Sequence, residues 1–229
     1  MKAKKMFLVI LSLVMVIRIY GQNEGQGVSR SQADQQDMKT LFGDNDRKIE
    51  HGGWGGFSMG YTSIDGKDAF ITGGRGGWLI DHHFTLGLGG YGFMSNMKNF
   101  DQPNPTIENY SLTGGYGGLL LEPIFAPFNP VHISVPVLIG AGNAIVGNES
   151  VYHGYPGYDY ASPFFVLEAG VDVEFNIVKF FRLAVYTSYR YTSNLSVDYY
   201  SMDGIKEFSV PDGALRGFNV GLTLKFGKF

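Results

Sequence analysis

Apolar and polar residues alternate one for one through most of this chain beyond residue 51. In "FFVLEAGVDVEFNI", Phe165, Leu167, Ala169, Val171, Val173, Phe175 and Ile177 fall on one face of an extended strand. Glu168, Gly170, Asp172, Glu174 and Asn176 fall on the other. "FFRLAVYTSYRY" repeats the pattern, with Phe181, Leu183, Val185, Thr187, Tyr189 and Tyr191 against Arg182, Ala184, Tyr186, Ser188 and Arg190. "GFNVGLTLKFGKF" does so again, setting Phe218, Val220, Leu222, Leu224 and Phe226 against Asn219, Gly221, Thr223 and Lys225. Segments of this texture, separated by turn-forming clusters, predict eight strands near 53–64, 69–80, 84–94, 110–122, 131–144, 164–176, 180–192 and 215–228.

The second face carries acids, arginines and glycines, which suit a narrow polar interior inside an apolar outer band. The connections alternate in length. "DHH", "IFAPFNP" and "IVK" are short, whereas "SNMKNFDQPNPTIEN", "IVGNESVYHGYPGYDYAS" and "SNLSVDYYSMDGIKEFSVPDG" are long. Only the first connection on the long side, around "DGK", is short. Short turns at one end, long loops at the other and an even strand count predict an all-β fold. The expected architecture is an eight-stranded antiparallel up-and-down transmembrane β-barrel with a side-chain-filled lumen. A soluble sandwich also alternates and is the competing architecture.

Glycine pentads recur at 52–56 ("GGWGG"), 73–77 ("GGRGG") and 114–118 ("GGYGG"), each around one bulky residue. Residues two apart share a face of a strand, so the outer glycines lie beside the bulky centre. A two-residue turn at "DG" pairs Ile64 with Lys67, which sets Arg75 opposite Gly56 and Trp54 opposite Gly77. A three-residue turn at "DHH" pairs Ile80 with Phe84, which sets Arg75 opposite Gly89 and Tyr91 opposite Gly73. Every large inward side chain would then have glycine beside it on the neighbouring strand. Trp54, Tyr91 and Tyr116 are the expected lumen packing, in a bore just wide enough to be filled by side chains. Phosphate-cradling loops are excluded, because no helical pattern follows any pentad.

An inward Arg75 needs counter-charge. The strand across the bore supplies Glu168, Asp172 and Glu174, and the next strand adds Arg182 and Arg190. An inward Tyr116 brings Leu112, Leu120 and Glu122 to the same face. The expected lumen polar network is therefore Arg75, Glu122, Glu168, Asp172, Glu174, Arg182 and Arg190. It reads as structural filling, with a proton or ion path along the same residues as the alternative.

Composition agrees with a membrane barrel: only 17% of residues are charged and 33 of 229 are glycine, both far from a soluble average. The net charge of −3 makes no electrostatic case for nucleic acid. The absence of cysteine excludes disulfides, thiolate metal sites and a cysteine nucleophile. Lys2, Lys4 and Lys5, the twelve apolar residues "MFLVILSLVMVI" and a small Gly21 predict an export signal over 1–21, too short to span a bilayer. Residues 22–50 are polar and aperiodic and read as a flexible periplasmic segment, leaving 51–229 for the barrel in a bacterial outer membrane.

Catalytic chemistry is poorly supported. His82 and His83 sit in a short turn where adjacent side chains diverge, and His132 points inward as a polar filler. A surface enzyme acting on lipid would need His153 with Ser150 or Ser162. No catalytic residue, metal or cofactor is expected. The loop "VYHGYPGYDY" gathers Tyr152, Tyr155, Tyr158 and Tyr160, which suits either an adaptable contact surface or an interfacial aromatic girdle.

With "GGRGGW", "FFVLEAGVDVEFNIVKFFRLAVYTSYRY" and "GLTLKFGKF" in view, the sequence resembles a family of small outer-membrane β-barrel proteins of Bacteroidota-type bacteria. The resemblance covers 51–229 and implies a fold and a location; it carries no catalytic residue. It implies that Phe229 is the aromatic end read during barrel assembly, although Phe229 falls out of phase with the alternation that ends at Phe226. The functional expectation is a structural or interaction component of the outer membrane. Its expected partners are outer-membrane lipid and another outer-membrane or surface protein, with no nucleic acid. A surface lipid enzyme and a narrow solute or proton channel are the alternatives.

Overall fold

A computed structural model describes residues 49–64, 66–96, 110–148, 161–195, 198–200 and 206–229. The export signal, segment 22–48, and Tyr152, Tyr155, Tyr158 and Tyr160 lie outside the described residues. The strands are β1 (His51–Ile64), β2 (Lys67–Ile80), β3 (Phe84–Asn96), β4 (Tyr110–Phe125), β5 (Val131–Ser134) and β6 (Val137–Asn148). They continue with β7 (Ser162–Val178), β8 (Phe181–Thr192), β9 (Asp198–Tyr200), β10 (Lys206–Ser209) and β11 (Gly217–Lys228). Strands β9 and β10 form a separate hairpin within the β8–β11 connection, where the sequence pattern shows no strand.

The other nine elements close into one antiparallel ring, because β11 pairs back onto β1 and leaves no open edge. They occupy eight positions. Strands β5 and β6 both pair with β4 on one side and β7 on the other, in one continuous register. The interruption falls at Val135 and Pro136, where proline offers no N–H to the ladder. The backbone nevertheless stays in line: the Val135 N–H donates to the Pro123 carbonyl at 3.0 Å, and the Gly170 N–H to the Pro136 carbonyl at 3.0 Å. The strand expected at 131–144 is thus split by its proline and runs on to Asn148.

Partner residues can be traced once around the ring, from Gly53 through Trp78, Leu86, Leu121, Val137, Ala169, Tyr189 and Phe218. The path returns to β1 beside Ser63, ten residues further along the strand. A stagger of this kind tilts the strands by roughly 35–45° to the barrel axis. Residues at one height in the bore therefore come from very different depths in neighbouring strands.

The turns set the register by their own chemistry. Ile64 pairs with Lys67 across the first hairpin, whose Gly66 takes a φ of +73°. Ile80 pairs with Phe84 across a turn in which Asp81 and His82 both adopt left-handed backbone, at φ 48° and 59°. The β4–β5 turn is held from β7: Asn176 Nδ2 donates to the carbonyls of Asn129 at 2.7 Å and Pro127 at 3.1 Å.

Each strand separates its two faces. Phe70, Trp78, Leu88, Phe165 and Phe218 face outward, with Leu88 68% and Phe218 70% exposed. Asp172, Glu174 and Arg190 face inward and are fully buried. A closed ring with an apolar outside and a charged inside belongs in a lipid bilayer, since no soluble fold gains by that inversion.

Candidate functional site

The bore is the densest concentration of chemistry among the described residues. Gly56 faces Arg75, Gly77 faces Trp54, Gly89 faces Arg75 and Gly73 faces Tyr91. Room is the reason. A Cβ on Gly73 would meet Tyr91 Cδ1 at 2.6 Å, and one on Gly142 would meet Tyr116 Cβ at 2.6 Å. Between β3 and β4 two large inward residues meet. There Tyr91 and Tyr116 are direct partners, with rings 5.5 Å apart, and each finds its glycine on the opposite side. The two flat rings lie tilted by 33° against one another where two bulky aliphatic chains would collide. Trp54 is buried, and its indole N–H donates to Thr85 Oγ1 at 3.0 Å.

Lower in the bore, toward the short turns, Glu122 of β4 and Asp172 and Glu174 of β7 bring carboxylate oxygens within 4.8 Å of one another. Such a trio suits a divalent cation, yet here it converges on an ammonium. Lys225 Nζ of β11 lies 2.5 Å from Glu122 Oε1, 2.5 Å from Glu174 Oε1 and 3.6 Å from Asp172 Oδ2. The same Nζ sits 4.3 Å from the Trp54 ring. Ser134 Oγ bonds both Glu122 and Glu174, at 2.7 and 2.6 Å. Arg75 pairs with Asp172 and also donates to Thr223 Oγ1 at 3.2 Å. Glu174 receives two further groups, His132 Nε2 at 3.2 Å and Arg182 Nη1 at 3.6 Å.

Toward the long loops the pairing logic changes. Glu168 is served by neutral donors: Tyr116 Oη, Ser188 Oγ at 2.6 Å and Asn219 Nδ2 at 3.0 Å. Arg190 lies opposite Glu168 in the ladder but directs its guanidinium elsewhere. Its Nε donates to the Leu215 carbonyl at 2.7 Å, its Nη2 to Thr62 at 3.2 Å, and it lies over the rings of Phe93 and Tyr116. Arg75 thus meets Asp172 and not Glu168.

Apolar clusters flank the polar zone. Trp54, Leu79, Leu120 and Ile124 pack with Phe229 on the short-turn side. On the long-loop side, Ile64, Ile71, Phe93, Leu112 and Val166 pack with Leu195, Val210, Ala214 and Leu215 from the β8–β11 connection. These four residues cork the bore. Leu112 and Leu120, which break the polar pattern of β4, belong to these two clusters.

Alternation placed the seven network residues and Trp54, Tyr91 and Tyr116 on one face, and the structure brings all of them into the bore. Missed were the central position of Lys225, the part played by Ser134 and the cork. Lys225 stood on the inward face of "NVGLTLKFG", and that alternation was the available signal. For the lipid-enzyme alternative, Ser162 lies inside the barrel wall, while His153 and Ser150 lie outside the described residues.

No family model matches the chain, and no curated protein matches it. Among solved structures, the chain is similar to Neisserial surface protein A (NspA), with 13% identity over 80% of this chain and 100% of that one, at a TM-score of 0.49. It is also similar to Ail, the attachment invasion locus protein of Yersinia pestis, with 15% identity over 77% of this chain and 97% of that one, at a TM-score of 0.37.

Proposed function

We propose that this chain is a closed outer-membrane barrel that serves as a structural or interaction component and acts through its long-loop end. One observation carries the reading: among the described residues, side chains fill the middle of the bore and its long-loop end. Among the described residues, four buried acids (Glu122, Glu168, Asp172, Glu174) stand with four buried bases (Arg75, Arg182, Arg190, Lys225) and His132, and Leu195, Val210, Ala214 and Leu215 cork the long-loop end. A wall that passes nothing works through what it displays. The displayed element of most suitable chemistry is the loop with Tyr152, Tyr155, Tyr158 and Tyr160, since aromatic anchors commonly dominate interface energy. Its partner would be another outer-membrane or surface protein, with outer-membrane lipid around the apolar wall.

The test is crosslinking in intact cells with all four tyrosines replaced by serine. Assembly should persist, read as heat-dependent gel mobility, while the co-purified partner disappears. Failure of the quadruple variant to insert would make the tyrosines an interfacial girdle and end the contact-surface reading. A second reading, a proton path, rests on the unbroken contacts His132–Glu174–Lys225–Asp172–Arg75. Proton flux into vesicles carrying the protein, abolished by Lys225→Met, would favour it over a closed wall.

A further inference from the structure

A pocket of about 560 Å³ lies at the short-turn end of the barrel, lined among others by His82, Phe128, Val178, Lys179, Arg182 and Phe229. Two features set it apart from the packed interior. Among the described residues, the charged side chains that line it are basic, Lys179 and Arg182. Glu50 reaches His82 at 3.1 Å from outside the lining. Arg182 is also incompletely used. Its side chain is only 6% exposed, and Nη1 lies 3.4 Å from His132 Nε2 and keeps a loose 3.6 Å approach to Glu174, an acid already held by Lys225 and His132. Its Nε–H has no acceptor among the described residues. A buried guanidinium with an unused donor at the end of a cavity is expensive unless something accepts from it.

The apolar lining is equally organised. The guanidinium of Arg182 lies 4.0 Å from the centroid of the Phe229 ring, which fixes the cation at the floor of the pocket. Phe128, 74% exposed, packs its ring 5.1 Å from that of His82 and forms the opposite wall. Lys179 stands in the two-residue turn between β7 and β8, at the rim. A cation at the floor, a second at the rim and aromatic walls between them match a ligand with one anionic group and a compact apolar body.

We infer that the short-turn mouth binds a small organic anion, its charged head on Arg182 and Lys179 and its apolar body between Phe128 and Phe229. The site lies at the opposite end of the barrel from the strand ends Asn148 and Ser162 and does not depend on the function proposed for the tyrosine loop.

The probe is 4-fluorobenzoate, followed by fluorine NMR line broadening on the whole protein in zwitterionic nanodiscs, with neutral 4-fluorobenzamide as the control. Saturable broadening is expected for the benzoate and not for the benzamide. Arg182 is left intact, because it is buried in the wall and its loss would disturb packing against Phe229 as well as binding. The variants are Lys179→Gln and Phe128→Ser, both exposed turn positions, with heat-dependent mobility confirming that each barrel is closed. Each should weaken benzoate binding by about threefold or more. Absence of saturable benzoate binding, equal binding of the benzamide, or binding untouched by both substitutions would overturn the inference.

Discussion

Lys225 shows how much of this molecule hangs on single groups. Its ammonium lies among three carboxylates that would otherwise repel one another at the centre of a water-poor bore. Asp172, fully buried, ties that cluster to Arg75. Removing one member of a buried set leaves the rest charged and unanswered, which costs far more than the net worth of the pair. Asp172→Leu should therefore lower stability by ~3–5 kcal/mol, measured as a shift in the urea unfolding midpoint of detergent-refolded protein. Arg75→Leu combined with Asp172→Leu should cost less than the two single substitutions added together. Additive costs would show that the two side chains are neighbours without being coupled.

At the scale of a strand, glycine has two different jobs. Gly142 of β6 points into the bore, where an added methyl would press on Tyr116 Cβ and Phe164 Cζ, each 2.6 Å away. Gly55 of β1 points outward, and an added methyl there would meet nothing within 4 Å. Gly142→Ala should thus cost ~1–3 kcal/mol through overpacking. Gly55→Ala should be neutral or add up to ~1 kcal/mol by restricting the unfolded chain. A denaturation midpoint for Gly142→Ala equal to wild type would refute the packing account of the pentads. Strand content, strand number and the sidedness of each strand were legible because alternation and turn chemistry are local. The "DG" and "DHH" turns even yielded register. Height in the bore was not legible, because it accumulates around the ring with the ten-residue stagger. That is why alternation assigned Lys225 to the inner face without revealing that it meets Glu122, whose strand is not a ladder neighbour of β11. The cork was illegible for another reason: Leu195, Val210, Ala214 and Leu215 come from a stretch with no period, and only packing over the bore gives them a common purpose.

At the scale of the whole barrel, filling and ion pairing act together. Among the described residues, buried acids and bases answer one another across the bore, and Leu195, Val210, Ala214 and Leu215 pack over its long-loop end. The purified protein in a planar bilayer should show no discrete conductance steps above the leak of the bare membrane. Stable single-channel steps would contradict the occupied bore. The seam between β1 and β11 has a further consequence, one of timing. Ser58 and Thr223 hydrogen-bond across it at 2.8 Å, although 165 positions separate them along the chain. Contacts of such long sequence separation come late and slowly in folding. Until the seam forms, the charged inner faces of every strand have no enclosed place to sit, and lipid would reject them. A nascent chain lacking β11 therefore has no half-built version of this protein to occupy. Insertion and closure are therefore expected to be one event that awaits the strand Gly217–Lys228.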